Sequence, residues 1–129
     1  MWPEWSFQRI AMLFTALALL MITVQVYIYH YRQNFRHPAM WLPILGAPVI
    51  AIFLILLVLA NSPIIRTLTV FFLFVGVIAG GIGGFYHIRG IGQRVDGYKI
   101  QNVLVGPPLV LPFMISALSI LGLLAIYWG

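Results

Sequence analysis

Three histidines are the side chains of this sequence best suited to binding a metal or a haem. His30 ends the first of four apolar segments, His87 ends the third, and His37 lies in the connection between the first two. Two imidazoles carried at the same depth by two helices can ligate the iron of one b-type haem from both sides. The sequence therefore offers His30 and His87 as haem ligands, although an imidazole at such a boundary is also commonly solvated.

Small residues form stripes in two of the apolar segments. The third segment leads into the run GGIGGFYHIRGIG at residues 80–92. At about 100° per residue, Gly76, Gly80 and Gly83 share one helix face, and Gly84 lies at its margin. Small residues at this spacing let a second helix approach closely, and glycine also occurs where a ligand must reach the backbone. We therefore expect a helix-packing surface or a groove for a lipid tail or a flat cofactor. Its residues are Gly76, Gly80, Gly83, Gly84, Ser119 and Gly122.

Five basic residues follow the first and third apolar segments and can form an anion-binding rim. Arginine binds phosphate or carboxylate through paired N–H groups. The expected occupants are phospholipid headgroups or acidic residues of a partner protein, with a phosphorylated substrate as a further alternative. A bound phospholipid is therefore compatible with the sequence. The rim residues are Arg32, Arg36, Arg89, Arg94 and Lys99.

The composition sets the class of protein in which these residues must work. Of the 129 residues, 63% are hydrophobic and 7% are charged, whereas a soluble domain carries about 25% charged residues. This much apolar surface predicts an integral membrane protein. There is no cysteine, and Glu4 and Asp96 are the only acids, so we expect neither an enzyme nor a metal site. The net charge of +5 fits a membrane surface better than nucleic acid.

The four apolar segments predict an all-α fold, a single transmembrane domain built as a four-helix bundle. Each segment has close to the roughly 20 residues that a helix needs to cross the hydrocarbon layer. Membrane strands alternate apolar and polar residues, which these segments do not, so helices are the structure that pairs every backbone group. The predicted helices cover about residues 7–29, 41–60, 67–86 and 108–128 of the single domain 1–129.

The connections predict how the helices are oriented. The break NSP at residues 61–63 is tight, so helices two and three should form an antiparallel hairpin. The last connection, residues 88–106, contains Gly90 and Gly92, which argue against a regular helix. It also contains enough apolar residues to predict a structured link. The connections after helices one and three hold five Lys and Arg residues, against two elsewhere. We therefore expect these connections, loops 1 and 3, in the cytoplasm and both termini outside.

The C-terminal third adds a resemblance. The stretch GFYHIRGIGQRVDGYKIQNVLVGPPLVLPF, residues 84–113, resembles a segment of small bacterial inner-membrane proteins of unassigned function. It shares with them a helix that ends in an aromatic residue before His87, an arginine-containing and glycine-rich link, and an Asn102 followed by GPP. The resemblance implies a bacterial inner-membrane location and carries no site residue with it.

Three functions remain open from the sequence. The first is a non-enzymatic accessory or anchoring subunit of a larger bacterial membrane complex, because catalytic residue types are nearly absent and small-residue faces occur on more than one helix. The second is an electron-transfer subunit that holds one b-type haem between His30 and His87. The third is a small oligomeric transporter, for which the apolar segments offer Gln25 and a few hydroxyl groups as a polar path. The expected partners are other membrane subunits and the lipid bilayer, and the first function needs no cofactor.

Overall fold

The computed structural model describes residue 2 and residues 4–32, 41–94 and 110–128. This part of the chain is all-helical, and each of its four helices is long and apolar enough to cross a membrane. The helices are α1 (Phe7–Arg32), α2 (Trp41–Leu59), α3 (Pro63–Arg94) and α4 (Val110–Tyr127).

The four predicted segments correspond to these helices, and the largest difference concerns α3. Pro63 begins this helix because its fixed φ and missing N–H suit a first turn. The helix then continues to Arg94. The expectation of irregular backbone is therefore wrong for residues 88–94. Gly90 and Gly92 each disfavour a helix by only about 1 kcal/mol relative to alanine, which the continued pairing of backbone groups offsets. The remainder of the predicted link, residues 95–106, lies outside the described residues.

The turn between α2 and α3 is short, and a backbone hydrogen bond closes the adjoining turn of each helix. The Ala60 N–H donates to the Leu56 carbonyl oxygen at 2.9 Å and closes the last turn of α2. The Arg66 N–H donates to the Ser62 carbonyl oxygen at 2.9 Å and opens the first turn of α3. The two helices consequently run antiparallel, as the NSP break predicts.

The helices pack in a ring, in which each contacts the next along the chain and α4 returns to contact α1. Helices α1 and α3 are therefore diagonal to each other. Buried apolar side chains from all four helices fill the centre, but α3 contributes only Leu73 to them. The buried apolar residues are Met12, Ala16, Leu19, Ile22, Val26, Ala47, Ile50, Ala51, Leu54, Leu57, Val58, Leu73, Ile115, Ala125 and Ile126.

The outer surface of the bundle is also apolar. Phe14, Met21, Leu45 and Ile78, one or two from each of the first three helices, are all more than 60% exposed. A water-soluble monomer seldom exposes a continuous apolar surface of this kind. The four helices therefore place apolar side chains both in the centre and around the outside, as a bundle surrounded by lipid does.

Candidate functional site

The glycine stripe of α3 is the surface against which α4 packs. A Cβ atom at Gly80 would lie 2.6 Å from the Pro112 carbonyl oxygen and 2.7 Å from the Ser116 backbone nitrogen. These atoms belong to the α4 backbone, so no side-chain rotation could relieve the contact. Only a glycine allows the two helices to approach this closely at this level.

The neighbouring small residues continue the same contact towards both ends. A Cβ at Gly76 would meet the Ser119 hydroxyl oxygen and would lie 2.8 Å from Cδ1 of Ile50, and a Cβ at Gly84 would meet the Phe113 ring. From the α4 side, a Cβ at Gly122 would lie 2.9 Å from Cδ2 of Leu73.

The remaining member of the predicted groove is less tightly packed. A Cβ at Gly83 would lie 3.1 Å from the Pro112 Cβ. All six predicted groove residues thus lie along the contact between α3 and α4, and in the described structure α4 side chains and backbone fill the groove.

Two serines of α4 face α3 in different ways. The Ser116 hydroxyl donates to the Val77 carbonyl oxygen of α3 at 2.7 Å. The Ser119 hydroxyl oxygen is buried and has no hydrogen-bond partner among the described residues. One serine therefore links the helices by a hydrogen bond, whereas the other fills space beside Gly76.

The two candidate haem ligands lie on diagonal helices. His30 lies in the last turn of α1 and His87 lies in the C-terminal part of α3, where its side chain is half-buried. His37 lies outside the described residues, and no group of three His, Asp or Glu side chains gathers within the described ranges. The glycine face beside His87, which the haem hypothesis requires to be open, is covered by Pro112 and Phe113. The haem hypothesis remains a prediction that this packing does not favour.

The predicted basic rim falls only partly within the described structure. Arg89 is exposed on α3. Arg32 ends α1 and Arg94 ends α3, so the backbone brings both positions to the same end of the bundle. Arg36 and Lys99 lie outside the described ranges.

Two other arginines connect neighbouring helices at the opposite end, a role that sequence reasoning missed. The last four carbonyl groups of a helix have no partner within it, and a cation near them is also favoured by the helix dipole. Arg9 Nε, in the first turn of α1, donates to the Val58 carbonyl oxygen of α2 at 2.9 Å. Arg66 Nη2, in the first turn of α3, donates to the Ile126 carbonyl oxygen of α4 at 3.0 Å. The signal in the sequence is an arginine one turn inside each of two parallel helices.

Aromatic residues hold the same end of the bundle together. We call it the outer end, after the side that the sequence predicts for both termini. Trp2 Nε1 donates to the Leu57 carbonyl oxygen at 2.6 Å, a second bond to the terminal carbonyls of α2. The Arg9 guanidinium carbon lies 3.8 Å from the centroid of the Trp5 ring, a cation–π contact. The Arg66 guanidinium carbon lies 5.9 Å from the centroid of the Tyr127 ring.

A cleft with a volume of 280 Å³ opens between α1, α3 and α4 at this end. Its polar lining comes from Ser6, Gln8 and Arg66, which are half-buried. Its apolar lining residues are Trp2, Ala125 and Ile126. This outer-end cleft was not indicated by any sequence motif, because its walls come from residues far apart in the chain.

Comparison with family models, curated proteins and solved structures finds no match for the chain. The interior of the bundle is then the most informative feature for function. Among the described residues the buried polar side chains are Thr15, Thr69 and Ser119. The Thr15 hydroxyl donates to the Ala11 carbonyl at 2.7 Å, and the Thr69 hydroxyl donates to the Ile65 carbonyl at 2.7 Å. Both threonines therefore bond carbonyl groups of their own helices, and the Thr69 hydroxyl also lies 3.3 Å from the Phe53 carbonyl oxygen of α2, so neither hydroxyl is left without a partner.

Proposed function

We propose that this chain is a multi-pass protein of the bacterial inner membrane that serves as a non-enzymatic accessory or anchoring subunit of a larger membrane complex. The observation that carries the proposal is the interior of the described bundle, which consists of apolar side chains and three buried hydroxyl groups. Such an interior suits a chain that provides helices for packing, because it offers neither a path for ions nor groups that transfer protons.

A transport path through the centre of a single chain is not favoured by the same interior. A transported polar solute needs polar groups near the middle of the membrane, facing a cavity or a bundle centre. Leu19, Leu54 and Leu73, from three of the four helices, are buried in the bundle and leave its centre apolar. Gln25, the amide that could have lined a path, is exposed on the outside of α1. Any transport pathway would have to form between several copies of the chain.

The non-enzymatic part of the proposal rests on the scarcity of acidic residues, since Glu4 and Asp96 are the only two in the sequence. Glu4 is exposed ahead of α1, and Asp96 lies outside the described residues. A general base must lie within hydrogen-bond reach of the proton that it removes, inside a site that holds the substrate. An isolated exposed carboxylate at the end of a bundle does not supply such a site.

The packing of α4 on the glycine stripe of α3 limits the surfaces on which a partner could bind. Because α4 fills the glycine stripe of α3, the surfaces left for another subunit are the apolar outer faces and the basic rim. Five Lys and Arg residues lie at the C-terminal ends of helices α1 and α3 or follow them in the sequence, whereas Arg9 and Arg66 lie at the other end. This asymmetry supports a cytoplasmic location for the basic rim and an outside location for both termini.

Purification of the full chain from its own membrane in mild detergent tests the proposal. Mass spectrometry should find one or more other membrane proteins at a fixed ratio to the chain, and the absorbance spectrum should lack the Soret band of a haem. A chain that purifies alone and moves a solute selectively across liposomes would overturn the proposal. A Soret band that is lost in His87→Ala would instead establish the haem alternative.

The exposed Arg89 gives a sharper test of the basic rim. Arg89→Gln should reduce the recovered partner, and the loss should be larger at low salt because salt screens charge–charge contacts. Arg89→Lys is the matched control, because it keeps the charge and should keep most of the partner. Equal losses in both variants, or a loss independent of salt, would contradict a charge-based contact.

A further inference from the structure

The outer-end cleft holds hydrogen-bond donors that the described residues leave uncommitted. Arg66 uses one N–H group on the Ile126 carbonyl, and a guanidinium carries five. The Ser6 hydroxyl oxygen accepts from the Arg9 backbone N–H at 3.2 Å, which leaves its own O–H free to donate. The Gln8 amide makes no hydrogen bond to another described residue. Three side chains that line the cleft therefore carry donors that no described residue takes.

The charge of the cleft is positive. Arg66 forms no ion pair with a described carboxylate, and Glu4, the acid within the described ranges, is exposed and is not part of the lining. A half-buried guanidinium with free donors binds anions by charge-assisted hydrogen bonds. The ligand class that suits these groups is a small anion with several acceptor oxygens.

The position of the cleft indicates which anion. It lies where α1 and α3 begin and where α4 ends, which is the level of the lipid headgroups if the helices cross a membrane. The Trp2 ring, Ala125 and Ile126 provide an apolar wall beside the donors. Phosphate is the anion that phospholipids present at this level. The volume of 280 Å³ accommodates a headgroup rather than a whole lipid.

We propose that Arg66, Gln8 and Ser6 bind a phosphate group in the outer-end cleft. The inference rests on the proposed membrane location and does not depend on the proposed subunit role. The phosphate can belong to a phospholipid headgroup or to a soluble phosphate, and the two sources share the same recognition chemistry.

The experiment uses the full chain in detergent and native mass spectrometry with three probes. The probes are dioleoyl phosphatidylglycerol, dioleoylglycerol, which has the same chains without phosphate, and inorganic phosphate. The chain should bind one molecule of phosphatidylglycerol and should bind it in preference to dioleoylglycerol. If inorganic phosphate displaces the phosphatidylglycerol at equal concentration, the natural ligand is a soluble phosphate. If it does not, the ligand is the lipid headgroup. Both outcomes support the phosphate site.

Matched variants separate the site from general stability. Arg66→Gln should weaken binding of the phosphatidylglycerol about tenfold, and Gln8→Leu should weaken it by about threefold or more, because each removes donors from the cleft. Arg9→Gln is the control for Arg66, because Arg9 also bonds a helix-terminal carbonyl but does not line the cleft. Its effect should stay below about twofold.

Gln8→Leu guards against loss of folding, since Gln8 makes no hydrogen bond that the fold requires. Three results would overturn the proposal. They are equal binding of dioleoylglycerol, equal losses in Arg66→Gln and Arg9→Gln, and an unchanged affinity in Gln8→Leu. None of them bears on whether other subunits co-purify with the chain.

Discussion

Ser116 of α4 donates its hydroxyl hydrogen to the Val77 carbonyl of α3, across an oxygen–oxygen distance of 2.7 Å. The bond occurs where the absence of a side chain at Gly80 brings the two backbones together. In lipid, helices gain little from burying apolar surface against each other, so close packing and hydrogen bonds between helices carry more of the association. The α3–α4 contact combines both.

The tight approach at Gly80 predicts a large difference between adjacent glycines. Gly80→Ala should lower the free energy of unfolding by about 1 to 3 kcal/mol, because the new methyl group would press on the α4 backbone. Gly81→Ala is the matched control, since a Cβ there meets nothing within 4 Å. It should leave stability unchanged or raise it by up to about 1 kcal/mol through helix propensity. Unfolding in detergent, followed by circular dichroism, measures both.

The outcome that would contradict this packing is a similar effect at the two positions. A stable Gly80→Ala protein would mean that α4 does not lie against this face of α3. Gly80→Leu, which introduces a much larger side chain, should prevent the native α3–α4 contact altogether. If the Gly80→Leu chain then failed to bind a partner, the cause would be its altered fold. That result would not identify a partner surface.

The two serines of α4 predict opposite results. Ser116→Ala removes the bond to Val77 and should lower the free energy of unfolding by about 0.6 kcal/mol, the average for hydrogen bonds between membrane helices, and by no more than about 1.7 kcal/mol. Ser119→Ala removes a buried hydroxyl that has no partner among the described residues, and should be neutral or stabilising. Denaturation of the two variants side by side gives the comparison. A larger loss in Ser119→Ala would show that its hydroxyl has a partner.

Arg9 should stabilise the fold by bonding the end of α2. Arg9→Met keeps an apolar stem of similar length but removes the bond to Val58 and the contact with Trp5. Hydrogen bonds to charged groups contribute about 1.5 to 3 kcal/mol to stability, and access to water at a helix end reduces this contribution. We therefore expect Arg9→Met to lower the free energy of unfolding by about 1 kcal/mol. Arg89→Met, at an exposed position, should change thermal stability little. Equal melting temperatures for both variants and the native chain would exclude a capping role.

The orientation of the chain can be read with introduced cysteines, because the sequence has none of its own. Ser62→Cys, in the turn between α2 and α3, should react with a membrane-impermeant maleimide in cells whose outer membrane has been permeabilised and whose inner membrane is intact. Asp96→Cys, just beyond α3, should react only after the inner membrane is opened. The positive-inside asymmetry of the basic residues is the physical reason. The reverse labelling pattern would invert the proposed topology.

The helices themselves could be predicted closely, and α3 shows where such prediction stops. Apolar runs without alternation leave a helix as the structure that pairs every backbone group. The end of α3 was placed too early because Gly90 and Gly92 were read as helix breakers, although the propensity of single glycines is a weak preference that its surroundings override. Helix ends depend on neighbours that a local pattern does not contain.

The site residues divide in the same way. Gly76, Gly80 and Gly83 were recognisable as one face of a helix, but a packing surface and a ligand groove have the same sequence pattern. The neighbouring helix decides between them in the structure. Arg66 lies one turn inside α3, as Arg9 does in α1, but the sequence does not reveal its partner, because the Ile126 carbonyl is 60 residues away in the chain.

By itself, the sequence determined that the chain forms four long apolar helices, because periodicity and residue type act over one turn or one segment. Only the tertiary structure decided that α4 fills the glycine stripe, that Arg9 and Arg66 bond the ends of neighbouring helices, and that Ser6, Gln8 and Arg66 line one cleft. These contacts join residues that are distant in sequence, and their energies depend on which atoms the packing of the helices places opposite each other.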